Sequence, residues 1–429
     1  MREVNVGVIG FGTVGAGVVS CLLDNGAAIA KRTGIKFTLA RVADIDITTP
    51  RGVNVPAEAL TTDAHDLIRN VDVVVELVGG TTIAKDFILE ALRAGKPVVT
   101  ANKALLAEHG EEIFAVAEKS KADIYYEASV AGGIPIIKSL REGLVGNRIE
   151  SIIGILNGTC NYILTRMRED REEFDKVLAE ARKLGYAEAD PSLDIDGIDT
   201  AHKAVILASL AYGEWFGMGA VHIEGIRGIA IEDIRSADEL GYCVKLLAII
   251  KQVGEDVQIR VHPALVPKDA ILADTDDVFN GVYVKGWPVG QQLYYGRGAG
   301  RDATASAVVA DIVDVGLNLK FGSHRRVPAF RIGRQFGRLL KMEEVSTRYY
   351  LRLQVLEKPG VVSRVTAILA EEQISISSLL QREKQSADNV ALIIITHLTK
   401  ELNISRAIAR IERLDVVKEK VKVIRIEDC

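Results

Sequence analysis

The chain has 429 residues, 48% of them hydrophobic and 26% charged, with a net charge of -5; at roughly 150 residues per domain there is room for about three domains with cores of their own. These values exclude a mainly disordered, collagen-like or disulfide-scaffold chain, and dispersed Lys and Arg lack the basic footprint of a nucleic-acid binder. No uninterrupted apolar run approaches the ~20 residues of a membrane-spanning helix, and the N-terminus shows no basic-then-apolar leader. Cys21, Cys160, Cys243 and Cys429 lie far apart, with no pair at metal or redox spacing, so a cytoplasmic protein without structural zinc and without a membrane or nucleic-acid partner is expected.

The opening third alternates β-branched runs with helical patterns, the signature of βαβ units around a parallel sheet buried on both faces. Strands are predicted over 4–9, 37–43, 71–78, 97–101 and 124–129, with helices over 13–23, 83–93 and 104–119. An α/β dinucleotide-binding domain of Rossmann type over 1–130 follows. Gly132-Gly133-Ile134-Pro135 then breaks the rhythm and opens an α+β substrate and dimerisation domain over 131–320. It reads as a strand at 149–156, helices at 174–184, 200–211 and 238–253, strands at 259–265 and 282–285, and a helix over 301–315 that could belong to either domain. A linker over 321–347, rich in Arg and Gly, precedes strand, helix, strand, strand, helix and strand signals at 349–356, 361–372, 374–380, 390–397, 404–413 and 417–426. That βαββαβ order, over 348–429, is ferredoxin-like.

Gly10-Phe11-Gly12-Thr13-Val14-Gly15 follows a strand and opens a helix. The first glycine suits a tight turn, the second close approach to a pyrophosphate, the third helix-strand packing, with the helix N-terminus facing the phosphates. Asp44, ending the second strand, could accept from a ribose 2′-hydroxyl and favour NAD; Arg51 could meet a 2′-phosphate and favour NADP, or be a solvated loop residue. Lys103 follows Thr100-Ala101-Asn102 at the carboxyl end of a parallel strand, where open α/β sheets bind ligands, so it either flanks a nicotinamide or starts a helix in solvent. The densest polar cluster runs from Gly185 to Lys203. Asp199 and Lys203 stand four apart on one helical face, as an acid orienting an ammonium group or as a surface ion pair. His262, Trp215, Phe216, Tyr294 and Tyr295 read as structural packing, with His262 at a strand edge.

These motifs resemble the homoserine dehydrogenase family in its form with a C-terminal ACT domain. The resemblance spans the whole chain and rests on residues 10–15, Val-Glu-Leu-Val-Gly-Gly at 75–80, Thr-Ala-Asn-Lys-Ala-Leu-Leu-Ala at 100–107, Tyr-Glu-Ala-Ser-Val-Ala-Gly-Gly-Ile-Pro at 126–135, Asn-Gly-Thr-Cys-Asn-Tyr-Ile-Leu at 157–164, and the run 181–203. It implies NAD- or NADP-linked interconversion of L-homoserine and L-aspartate 4-semialdehyde, on the way to threonine, methionine and isoleucine. By position, Lys203 resembles the proton donor and acceptor, with Lys103 a second lysine at the reacting centre. Glu188 and Asp199 resemble substrate-binding acids, and Thr100, Gly185 and Gly300 cofactor contacts, Gly185 adjoining the substrate as well. Glu127, with the carbonyls of Val130, Gly132 and Ile134, resembles a sodium site.

Glu357-Lys358-Pro359-Gly360 resembles the effector loop of ACT domains, although the family usually has Asp where this chain has Glu357. The implied effector is L-threonine, and the implied assembly a homo-oligomer, dimer or tetramer, because an ACT unit leaves a sheet edge that pairs with a copy. With the glycine turn beginning at residue 10, no aspartokinase-like region precedes it, which implies the monofunctional form. Two other readings remain: a non-enzymatic sensor of dinucleotide and amino acid, against which the lysines and acids argue, and a related dehydrogenase for another amino acid.

Overall fold

The protein is described from a computed structural model, which covers residues 2–330, 332–381 and 389–428; Cys429 lies outside the described residues. The chain forms two compact units: residues 1–158, 198–221 and 278–336 in the first, and 159–197, 222–277 and 337–429 in the second.

The first unit is built on six parallel strands in the order β3-β2-β1-β4-β5-β6. They are β1 (Arg2–Ile9), β2 (Ile35–Ala43), β3 (Leu60–Thr61), β4 (Val73–Glu76), β5 (Val98–Thr100) and β6 (Ile124–Tyr125). Between them run the helices α1 (Thr13–Thr33), α2 (Ala64–Asn70), α3 (Ile83–Arg93) and α4 (Lys103–Ser120). The chain order reverses at β1 and β4, the switch point where doubly wound sheets open a crevice at their carboxyl ends. Val4, Val6, Val8, Val73, Val75 and Val99 are buried in one core with Val18, Val19 and Leu22 of α1, which is why these strands read as continuous apolar runs.

A long helix, Arg301–Phe321, completes that core from far along the chain with Ala305, Val308, Ile312 and Val315. Its close approach to α1 is made at Gly17, where a Cβ would lie 2.8 Å from Arg301 Cγ and 3.2 Å from Ala305 Cβ. α1 is the one helix among the described residues that is long and apolar enough to cross a membrane; its Ala16, Val18, Val19 and Leu22 pack inside the unit instead. The first unit also holds an antiparallel set of Arg148–Ile155, Phe279–Trp287 and Gly290–Arg297.

In the second unit, strands Tyr242–Val253 and Asp256–Pro267 form a long hairpin, continued by Lys422–Ile426, Ser346–Leu356, Asn389–Thr396 and Ile376–Gln381. The last four strands, with helices Val361–Glu371 and Glu401–Ile411, make the expected ferredoxin-like βαββαβ unit. Tyr349, Leu351, Leu353 and Val355 alternate onto one face and pack with Val365, Leu369, Ile404 and Ala407 of the two helices.

Two expectations are corrected. Residues 238–253 do not form a helix: Ile231–Glu239 is helical, and Tyr242–Val253 is a strand. Cys243 through Ile250 are buried on both faces of that strand, and a run that is apolar but for the buried Lys245 carries neither helical nor alternating periodicity. Nor is His262 at a strand edge; it lies inside Asp256–Pro267, which has paired neighbours on both sides, and is fully buried.

Candidate active site

Gly10 has φ +99°, and a Cβ there would stand 2.6 Å from the Leu77 carbonyl, so only glycine passes between β1 and the end of β4. A Cβ on Gly15 would collide with the Gly10 carbonyl oxygen, which lets α1 sit hard against the turn. Around Gly12, by contrast, a Cβ would meet nothing. α1 starts at Thr13 with no side-chain cap and no acid in its first turn, leaving its N-terminal N–H groups and partial positive charge to an anionic ligand. Phe11 is buried, Thr13 exposed and Val14 half-buried.

Beside this turn lies a cavity of about 390 Å³, lined by Gly10, Gly12, Asp44, Arg51, Val78 and Phe87 among others. The Asp44 carboxylate accepts hydrogen bonds from the Phe11 N–H at 2.5 Å and the Asp46 N–H at 2.9 Å. Arg51 pairs with Asp46 at 3.2 Å, and its Nε is buried with no hydrogen-bond partner. The open space at Gly12, the bare helix end and the orphaned guanidinium nitrogen fit a dinucleotide phosphate and ribose.

At the neighbouring strand ends, Glu76 is fully buried, with its pKa raised by burial. Its carboxylate accepts from Thr100 Oγ1 at 2.7 Å and from the Val78 N–H at 2.8 Å. Asn102 donates from Nδ2 to the Gly80 carbonyl at 2.7 Å and caps α4 by accepting from the Leu105 N–H at 3.1 Å, a cap worth about 1 kcal/mol. The loops after β4 and β5 are thereby stitched together just before Lys103. Sequence reasoning missed Glu76 as a site-shaping residue, because nothing local marks its partner 24 positions on.

The helix Ile198–Tyr212 is apolar nearly all round and buried; its carboxylate, imidazole and ammonium side chains, Asp199, His202 and Lys203, fall within its first turns. Asp199 and Lys203 are each only 9% exposed at the side chain, so the pair is not a surface ion pair. Lys203 Nζ donates to Asp199 Oδ2 at 2.7 Å and to the Leu156 carbonyl at 2.5 Å. Lys103 Nζ lies 3.1 Å from Asp199 Oδ1, and Asn157 Nδ2 donates to Asp199 Oδ2 at 2.9 Å. Burial pushes the Asp199 carboxyl up, but the charges of Lys203 and Lys103 outweigh it and hold it well below the usual carboxylate range. An ionised acid thus fixes two ammonium groups beside the carboxyl edge of the sheet, where one can stabilise and protonate a developing alkoxide.

The remaining candidates stand apart from this cluster in sequence and local setting. Gly300 (φ +115°) precedes helix Arg301–Phe321 and is exposed. Gly185 (φ +77°) ends the turn after helix Phe174–Lys183 in the second unit; it and Glu188 are exposed there. Glu357, Pro359 and Gly360 form an exposed turn into helix Val361–Glu371, with Gly360 at φ +87°.

Glu127 is buried, and its two carboxylate oxygens accept from the Ile137 and Lys138 N–H groups at 2.8 and 2.7 Å. Burial pushes its pKa up to about 7. A second buried acid, Asp311, accepts from the Glu127 N–H at 2.8 Å. Val130, Gly132 and Ile134 are buried on the turn between them in sequence, with Gly132 at φ +52°. No cationic side chain forms an ion pair with Glu127 among the described residues.

A parallel sheet with an open glycine turn, and a lysine-carboxylate-lysine cluster at its active edge, define an NAD(P)-dependent oxidoreductase. Residues 10–127 match the homoserine dehydrogenase NAD binding domain, 135–313 homoserine dehydrogenase, and 349–416 the ACT domain. A homoserine dehydrogenase of Neisseria gonorrhoeae is 46% identical, across 100% of this chain and 99% of its own. The solved homoserine dehydrogenase of Thiobacillus denitrificans is 45% identical with a TM-score of 0.94, covering 100% of this chain and 99% of that one. A hyperthermophilic archaeal homoserine dehydrogenase in complex with NADPH is 28% identical, with a TM-score of 0.64 over 76% of this chain and 100% of that one. The chain belongs to the homoserine dehydrogenase family.

Proposed function

We propose that the chain interconverts L-homoserine and L-aspartate 4-semialdehyde with Lys203 as the proton donor and acceptor, in a cytoplasmic route to threonine, methionine and isoleucine. The observation that carries this reading is the buried clamp of Asp199 between Lys203 and Lys103. The dinucleotide would be held by residues 10–15, Asp44, Arg51, Thr100, Lys103, Gly185 and Gly300; its nicotinamide supplies or takes up the hydride. Lys203 gives its proton to the substrate oxygen as the aldehyde is reduced and recovers one as the alcohol is oxidised. Asp199 aims Lys203 and, with Glu188 and Gly185, holds the substrate, while Lys103 adds a second positive charge at the reacting centre. Residues 1–130 serve the dinucleotide, 131–320 the substrate and dimerisation, 321–347 the linkage, and 348–429 regulation. The free thiols Cys21, Cys160 and Cys243 support a reducing compartment.

Purified protein given L-homoserine is expected to turn over with both dinucleotides and to favour NADP⁺ by about tenfold in kcat/KM, since Arg51 can take the 2′-phosphate while Asp44 is engaged by backbone N–H groups. Absence of turnover in folded, dinucleotide-bound protein would sink the reaction assignment, and an NAD⁺ preference would sink the role of Arg51. The same assay with saturating L-threonine tests the ACT loop at Glu357, Pro359 and Gly360: inhibition is expected, and an unchanged rate and melting temperature would remove threonine as effector.

The buried Glu127 carboxylate, beside a second buried acid, supports sodium held by Glu127 and the carbonyls of Val130, Gly132 and Ile134. Sodium in place of tetramethylammonium is expected to raise the melting temperature by about 1 °C, roughly what 1 kcal/mol does for a chain this size. Glu127→Gln should abolish the difference; equal melting in both salts would discard the site. A homo-oligomer is supported by Ile376–Gln381, which ends its sheet's strand order among the described residues with Leu379 and Leu380 exposed. Sedimentation at micromolar concentration should give a dimer or tetramer, and a monomer would overturn this.

A further inference from the structure

We infer that Arg425 and Glu224 are positioning residues: they tie the last strand of the ACT unit to the turn that leads into the helix bearing Asp199 and Lys203. The inference rests on the substrate-site reading above and concerns residues that lie outside it.

Arg425 is 5% exposed, on strand Lys422–Ile426. Its guanidinium binds two carboxylates in bidentate fashion. Glu401, from the ACT helix Glu401–Ile411, accepts at 2.6 and 2.8 Å, and Glu224 accepts two bonds at 2.9 Å. Planar fork-to-carboxylate pairing of this kind fixes direction as well as distance. Glu224 is further held by His222 Nε2 at 2.7 Å and through its own N–H to the Val261 carbonyl at 2.7 Å.

The three residues after Glu224 grip the turn before the catalytic helix. Gly225 lies so close to it that a Cβ would collide with the Ile195 carbonyl oxygen. The Ile226 N–H donates to that same carbonyl at 2.8 Å. Arg227 bridges Asp196 and Ser192, at 3.1 Å to Asp196 Oδ2 and 2.9 Å to Ser192 Oγ. Ser192 in turn donates to Asp190 from its N–H and its hydroxyl, at 3.1 and 2.6 Å. The chain of contacts therefore runs from the ACT strand, through Glu224, to the loop that carries Glu188 near its start and Gly197 at its end. A shift of about 1 Å in such a support is enough to degrade substrate alignment.

Glu224→Gln keeps the shape and removes the charge. It is expected to raise KM for L-homoserine about tenfold, with KM for the dinucleotide and kcat within about twofold; Glu224→Asp should recover part of the loss. Arg227→Gln, at an exposed side chain, breaks the same chain one step nearer the loop and should give the same split if Glu224→Gln does not fold. A purely structural role would lower the melting temperature with no KM split, and that result, or parallel changes in all three constants, overturns the inference. Glu188→Gln, measured alongside, separates the two readings. If it raises KM for L-homoserine while Glu224→Gln and Arg227→Gln do not, only the link fails; if it leaves KM unchanged, the substrate-site reading fails.

Discussion

Lys203→Ala is expected to lower kcat by about 10²–10⁴-fold, the usual contribution of a positioned general acid or base, while the dissociation constant for the dinucleotide stays within about twofold. The reasons are local. Lys203 Nζ is held by Asp199 and the Leu156 carbonyl, away from the cavity lined by Gly10, Gly12, Asp44 and Arg51. Its removal leaves Asp199 with Asn157 and Lys103 as partners, so the buried carboxylate is not stranded and the fold should survive. Removing one member of a buried ion pair is costly when the survivor has no other partner, which is not the case here. Single-turnover kinetics and dinucleotide titration read the two quantities separately. A variant retaining most of its kcat would overturn the role of Lys203.

The glycine turn supplies the second large effect, and it comes as a contrast. Gly15→Ala should destabilise the protein by about 1–3 kcal/mol, the typical cost of overpacking a tight contact, because its Cβ would collide with the Gly10 carbonyl. Gly12→Ala should leave the melting temperature nearly unchanged, since a Cβ at Gly12 meets no protein atom. Yet it should weaken dinucleotide binding about 100-fold or more, by filling the space where the pyrophosphate meets the helix N-terminus. Thermal melts and dinucleotide titration on the two variants test this. Equal binding losses without a stability difference would mean that the turn does not divide its glycines between packing and ligand.

What could be read in advance followed the range of the interaction. The βαβ rhythm, the glycine turn and the ACT unit are signals within a few residues, and they appear in the structure as read. Asp199 and Lys203 stand four apart, so their pairing was visible, but their burial was not, because it comes from the apolar body of the helix Ile198–Tyr212 and its packing. Lys103 and Asn157 join Asp199 from 96 and 42 positions away, with no local mark. Tyr242–Val253 was misread because a strand buried on both faces has no period to detect. Gly290–Arg297 escaped notice because none of its residues is buried, so no apolar alternation marks it. Glu127 was reached only through the resemblance, since backbone carbonyls leave no trace in residue identity.

The close approach at Gly17 has a consequence for biosynthesis. α1 leaves the ribosome among the first residues, yet the helix that covers it, Arg301–Phe321, follows nearly three hundred residues later. The dinucleotide fold therefore has high contact order and cannot close its core during synthesis of its own segment. Until residue 321 emerges, the apolar face of α1 and β2 is exposed, the circumstance in which nascent chains aggregate or engage chaperones. A fragment ending near residue 130 would carry Gly10, Gly12 and Gly15, and would still lack the helix that covers α1.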